Sequence, residues 1–245
     1  MILAGKRILV TGGSSGLGRE LVCAFAREGA KVAFNYSRNE QGARETEEAA
    51  RQYTPDVRSF KGSVLDTDAL RAMVGVLEKE WGGLDVLVNN AGVSQMLPVA
   101  LLEEEDWDSL MDINVKGTYL VTRTVLKSMI RQRHGRVLNI GSLAGMRMIE
   151  SPVDSAASKA AIKGFTESLA KEVGRYGITV NCLAPGLLEG GVGANLPDYR
   201  LRDYLHHCAL GRLGTFAEIA ELSIFMLSDE NSYMTGVTLV VDGGL

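Results

Sequence analysis

Cysteine is scarce in this chain: Cys23, Cys182 and Cys208 are the only three among 245 residues, widely spaced and without CxxC pairing. That argues against a disulfide framework or structural zinc site and points to a reducing compartment. Histidine is equally sparse. His134, His206 and His207 have no ligand spacing with a third partner, so no metal is expected. No apolar run reaches about 18 residues, and no basic segment at the N-terminus leads into a long apolar one. The expectation is a cytoplasmic protein without membrane association. A basic excess is also missing: 26 Lys+Arg face 30 Asp+Glu, a net charge of −4. Phosphate neutralisation needs clustered cations in excess, so nucleic acid is not an expected partner. Hydrophobic residues at 46% and charged residues at 23% exclude wholesale disorder. Glycine, by contrast, is abundant: 28 of 245 residues, about 11% against a usual ~7%. Without low-complexity repeats, that implies many backbone positions needing positive φ or close approach.

Short β-branched runs alternate with longer amphipathic segments. Strands are predicted at Lys6–Thr11, Lys31–Tyr36, Val57–Lys61, Leu84–Asn89, Arg136–Gly141, Thr179–Leu183 and Thr238–Val241. Helices are predicted at Leu17–Glu28, about Glu40–Tyr53, Thr67–Trp81, roughly Glu104–Arg133, Ala156–Tyr176 and Phe216–Ser228. Strict alternation with short connections predicts an α/β fold, a doubly wound parallel sheet of Rossmann type with helices on both faces. No repeat or linker interrupts residues 1–245, so a single domain is expected. One long irregular stretch, about Pro185–Gly214, reads as a lid or substrate loop, with Gly186, Gly190, Gly191 and Gly193 near its start.

After the first strand comes Thr11-Gly12-Gly13-Ser14-Ser15-Gly16-Leu17-Gly18, opening directly into a helix. Glycines there let the backbone approach a pyrophosphate, which the helix N-terminus then favours. The spacing Gly-x3-Gly-x-Gly is not a P-loop, because no Gly-Lys-Ser/Thr follows. Taken alone, the loop also fits a plain tight strand–helix turn.

With Asn89-Asn90-Ala91-Gly92, Asn114, Gly141-Ser142, Lys159 and Pro185-Gly186 in the same order and spacing, the chain resembles the short-chain dehydrogenase/reductase family over residues 4–245. Within it, Arg133-His134-Gly135-Arg136, Gly177-Ile178-Thr179-Val180-Asn181 and Gly211-Arg212-Leu213-Gly214 are similar in style to 3-oxoacyl-(acyl-carrier-protein) reductases. The resemblance implies a nicotinamide cofactor held by Gly12, Ser14, Ser15, Gly16, Leu17, Gly18, Asn89, Ala91, Gly92, Lys159, Pro185 and Gly186. The second strand ends Asn35-Tyr36-Ser37-Arg38, with no acid before Glu40. A carboxylate would have bound a ribose diol. Arg38 with Ser37 or Ser14 suits a 2′-phosphate instead, so NADP(H) is the expected cofactor, although Arg38 also reads as a solvated loop charge. Ser63 stands where many relatives carry an acid for the adenine amine, leaving the Val64 backbone for that contact. Gly190 replaces a frequent threonine, so the carboxamide is expected on backbone groups near Leu188.

The resemblance also implies catalytic roles for Asn114, Ser142 and Lys159, with a tyrosine proton donor four residues before the lysine. That position is Ser155. A serine hydroxyl is shorter and far less acidic than a phenol, and losing a positioned general acid costs roughly 10²–10⁴-fold in rate. The retained Ser142, Asn114 and Lys159, and the small face Ala157, Ala160, Ala161, Gly164 and Ser168, favour an engineered replacement of a working tyrosine over a natural non-catalytic nucleotide-binding chain.

Met96, Leu97, Met146, Met148 and Ile149 are expected to face a long acyl or polyene chain, although each fits ordinary packing as well. Arg131, Arg133, Lys171 and Arg175 are a candidate surface for an acidic acyl carrier protein bearing the thioester; each alone also reads as a solvated helix end. Gly141-Ser142-Leu143-Ala144-Gly145 lacks the Gly-x-Ser-x-Gly of a hydrolase. The family's contact surface at the helices 104–133 and 156–176 implies a homotetramer. The expected activity is NADPH-dependent reduction of 3-oxoacyl thioesters in a fatty-acid or polyketide-like pathway, impaired by Ser155. Alcohol or sugar dehydrogenation is the third reading.

Overall fold

The computed structural model describes residues 1–191 and 196–245. Their strands are β1 (Arg7–Thr11), β2 (Lys31–Tyr36), β3 (Val57–Lys61), β4 (Val86–Asn89), β5 (Gly135–Ile140), β6 (Ile178–Pro185) and β7 (Thr238–Val241). The helices are α1 (Gly16–Arg27), α2 (Glu40–Arg51), α3 (Thr67–Trp81), α4 (Glu104–Met111), α5 (Gly117–Gln132), α6 (Val153–Val173), α7 (Asp198–His207) and α8 (Phe216–Leu227). The seven strands form one parallel sheet in the order β3-β2-β1-β4-β5-β6-β7. This is the doubly wound Rossmann-type sheet that the alternation predicts.

The strands are apolar on both faces because both are covered. Ile8, Val10, Val32, Phe34, Val86 and Val88 pack against Leu21, Phe25, Ala43 and Ile224 of α1, α2 and α8. Leu9, Ala33, Leu87, Val137 and Val180 point the other way, onto Leu77, Val125, Met129 and Val173 of α3, α5 and α6. The alternation of Ile8, Leu9 and Val10 is the period of two that a strand imposes. Strand order reverses direction between β1 and β4, and the loops leaving their C-terminal ends part there. In open α/β sheets that switch point is where ligands bind.

Three expectations need correction. The helix expected over 104–133 is two helices joined by a wide turn at Asp112–Lys116, where Gly117 N–H reaches back to Asp112 O. The i→i+5 closure inserts one residue without breaking the apolar face, so periodicity could not reveal it. The stretch 185–214 is not structureless, because it contains α7. Pro197 sits just before that helix, and Asp198 lies in its first turn, where an acid matches the helix dipole. Finally, β4 starts at Val86 rather than Leu84, whose carbonyl accepts from Gln132 Nε2.

Candidate active site

A cleft of about 640 Å³ opens at the switch point. The glycine turn after β1 forms its floor. Gly12 has φ +69°, which a side-chain-bearing residue rarely adopts. Its N–H donates to Asn35 Oδ1 at 3.1 Å, and Gly13 N–H donates to Asn35 O at 3.0 Å. A Cβ on Gly18 would overlap Gly12 O, so only glycine lets α1 approach its own turn. Arg19 locks the outside of the loop through Ser14 O at 3.3 Å and Thr46 Oγ1 at 3.1 Å. Asn90 locks the inside, donating to Thr11 O at 2.9 Å. No side chain caps α1, so its positive end faces the cleft from Ser15, Gly16 and Leu17.

Ser37 and Arg38 line the far end of the cleft with Ser14, Ser63 and Val64. Arg38 forms no ion pair among the described residues, whereas neighbouring Glu40 is engaged by Arg44 at 2.8 Å and Lys61 at 3.2 Å. Hydrogen bonds from those two cations hold the Glu40 carboxyl below the usual carboxylate range. Glu40, two residues beyond Arg38, is thus paired with other cations. Ser63 Oγ accepts from Leu65 N–H at 3.2 Å, shaping the turn beside Val64.

Ser142, Ser155 and Lys159 line the opposite end. Ser142 Oγ accepts from Ala144 N–H at 3.2 Å. Lys159, one helical turn beyond Ser155 on α6, donates from Nζ to Ile140 O at 2.9 Å. Burial pushes its ammonium pKa down. Asn114 sits in the wide turn and is buried, with Oδ1 accepting from Val93 N–H at 2.8 Å and Nδ2 donating to Val93 O at 3.0 Å and Ser158 Oγ at 3.1 Å. Both ends of its amide thus brace the cleft wall beside Gly92. Ser155 N–H donates to Asp154 Oδ1 at 2.7 Å, and Ser158 Oγ donates to Ser155 O at 2.8 Å. Among the described residues lining the cleft the one tyrosine is Tyr36, at the end of β2 beside Ser37.

Ala91, Gly92, Pro185, Gly186 and Leu188 line the cleft. Asn89 does not. It is buried, donating to Thr122 Oγ1 at 2.9 Å and Asn139 Oδ1 at 2.8 Å; strand alternation turns it away and Asn90 inward. Met96, Leu97, Met146, Met148 and Ile149 are also absent from the lining, and Met148 is fully exposed. These lie in loops, where residue type alone does not fix direction. Three of the four basic candidates are engaged locally. Arg131 pairs with Glu78, Arg133 donates to Arg175 O at 3.2 Å, and Arg175 lies over the Tyr176 ring. Gly193 lies outside the described residues. Among the latter, no group of three or more His, Cys, Asp or Glu could hold a metal ion, and no helix is long and apolar enough to cross a membrane.

Phe216 was not singled out from sequence. Its ring stands near Gly16, Gly190 and Gly191, closing the glycine turn from the side of the 185–214 stretch. The signal was Thr215-x-x-Glu218, a capping box that puts Phe216 at the first turn of α8.

A family model described as enoyl-(acyl carrier protein) reductase matches residues 12–245. A 3-oxoacyl-(acyl-carrier-protein) reductase FabG of Thermotoga maritima is 37% identical over 246 residues, covering 100% of this chain and 99% of that protein. Its counterpart in Staphylococcus aureus is 35% identical over 240 residues, 98% of each. Among solved structures, a short chain dehydrogenase from Bacillus anthracis superposes with a TM-score of 0.89 at 32% identity, covering 98% of this chain and 95% of that one. An NAD+-bound xylitol dehydrogenase gives 0.92 at 28% identity, over 100% of both chains.

Proposed function

The chain belongs to the short-chain dehydrogenase/reductase family, and from that premise we propose an oxidoreductase scaffold for reducing 3-oxoacyl thioesters carried on an acyl carrier protein, with NADPH as cofactor. The observation that carries the cofactor reading is the cradle itself. A glycine turn that any Cβ at position 18 would close leads into an uncapped helix N-terminus, with Arg38, which forms no ion pair among the described residues, at the far end. Bound there, the cofactor would supply a hydride to the carbonyl carbon. Gly12 to Gly18 would hold its pyrophosphate, Arg38, Ser37 and Ser14 its 2′-phosphate, and Lys159 its ribose hydroxyls. Ser142 would hold the substrate oxygen, and Asn114 would keep the wall at Val93 and Gly92 in register. The carrier-protein reading rests on the named activity of the curated relatives. A homotetramer is part of the same proposal.

The missing element is the proton donor. Ser155 occupies the position of the family's tyrosine, and its hydroxyl is too short and too weakly acidic for that role. We read it as replacing a working tyrosine, because Ser142, Asn114 and Lys159 remain assembled around it. The test is Ser155→Tyr, followed by NADPH absorbance with an acetoacetyl thioester, a crotonyl thioester and a small free ketone or sugar. The expected result is turnover of the acetoacetyl thioester, roughly 10²–10⁴-fold above the parent chain. Preference for the crotonyl compound would favour enoyl reduction, the activity in the family description. Preference for the small substrate would favour an alcohol or sugar dehydrogenase. Unchanged inactivity on all of them would favour a non-catalytic nucleotide-binding subunit.

A further inference from the structure

The polar groups where β6 leaves the sheet are nearly all accounted for. Gly186 N–H donates to Val241 O at 2.8 Å, and Glu189 N–H donates to Gly214 O at 2.9 Å. Leu187 N–H donates to the phenol oxygen of Tyr204 at 3.1 Å, and that phenol donates to Asp242 O at 3.3 Å. Among the described residues, Leu188 N–H and Gly190 N–H are then the backbone donors of 186–191 without an acceptor. Tyr204 projects from α7, which lies in the lid, yet its hydroxyl reaches the cleft wall. It stands so close to Gly186 that a Cβ there would overlap it. Burial raises its pKa, so the phenol keeps its proton at neutral pH and can both donate and accept.

We propose that Tyr204 is a positioning residue that couples the lid helix to the nicotinamide end of the cleft. By taking the Leu187 N–H and anchoring it to the C-terminal tail at Asp242, it fixes the peptide that turns Leu188 N–H toward the carboxamide. The inference rests on the cofactor reading above and assigns a role to a residue outside the family motifs. It also gives the phenol a fixed duty: both of its hydrogen-bonding directions are used, so it does not stand in for the tyrosine missing at position 155.

The experiment titrates the parent chain and Tyr204→Phe with two probes by calorimetry. One is NADPH, and the other is 2′-phospho-ADP-ribose, the same molecule without its nicotinamide. Phenylalanine keeps the ring but leaves Leu187 N–H without its partner. NADPH is expected to bind about 5- to 20-fold more weakly, with the fragment unchanged within about twofold. Gly186→Ala drives a methyl group into the same hydroxyl and is expected to produce the same split. Retained fragment binding shows that each variant is folded. Equal weakening of both probes, or no change in either, would overturn the inference while leaving the cofactor reading standing. Failure of the parent chain to bind either probe would overturn that reading and this inference with it.

Discussion

The two ends of the cleft are built by different means. At the glycine-turn end, Thr11, Gly12, Gly13 and Ser14 are tied by Asn35, Asn90 and Arg19 through contacts of 2.9–3.3 Å. Every one of these belongs to β1, α1 or an adjoining strand end, so the sheet itself sets the geometry. At the other end, Ser142 lies in a loop, Lys159 on α6, Asn114 in a wide turn and Leu188 between β6 and α7. Four separate elements must agree in position there. On the proposed function, cofactor binding and chemistry are separable in this chain. On that reading, a serine at position 155 removes the second without disturbing the first.

The largest effect that would break this comparison is at Gly18. Gly18→Ala drives a methyl group into Gly12 O and must push α1 off its turn. NADPH affinity should fall by at least about 100-fold, or about 3 kcal/mol, in a fluorescence titration. A loss below threefold would mean that the turn is not the pyrophosphate cradle.

Arg38→Ala comes next and acts on the far end alone. Removing a charge-assisted contact should weaken NADPH by roughly 10- to 100-fold and leave NADH nearly unchanged. Equal effects on both dinucleotides would reduce Arg38 to a solvated loop charge.

The smallest effect sharpens the catalytic end. Burial lowers the Lys159 pKa, so its charged form is disfavoured in the fold. At a pH below the folded-state pKa the lysine is protonated in both states and the penalty is complete. Between the folded value and the ordinary lysine value near ~10.4 the unfolded chain binds more protons, so stability rises with pH. Lys159→Met should therefore stabilise the protein by about 1 kcal/mol at neutral pH, and the gain should fade as pH approaches ~10. Denaturant midpoints at pH 7 and pH 9.5 measure it. A destabilised variant at neutral pH would mean that the Ile140 carbonyl contact outweighs desolvation.

The sheet was legible in sequence because parallel strands buried on both faces are short continuous apolar runs, as in Ile8–Val10 and Val86–Val88. The glycine turn was legible because Gly12 takes a positive φ and a Cβ on Gly18 would overlap Gly12 O, so geometry and residue type coincide. The helix α7 was not legible, since Asp198–His207 contains few apolar residues and no buried one, leaving no periodicity to detect. The wide turn at Asp112–Lys116 keeps the helical face and so hides in the pattern. Asn89 and Asn90 differ only in strand parity, and a boundary uncertain by one residue exchanges their roles. The direction of the methionine side chains was not legible for a related reason. A loop has no period, so Met148 could be placed near the site but not aimed into it.

The most direct measurement compares NADPH affinity and turnover in the parent chain and in Ser155→Tyr. The account predicts dissociation constants equal within about threefold, with turnover of an acetoacetyl thioester differing by roughly 10²–10⁴-fold. Parent-chain turnover equal to that of the tyrosine variant would contradict it, and so would a cofactor that binds only once the tyrosine is present.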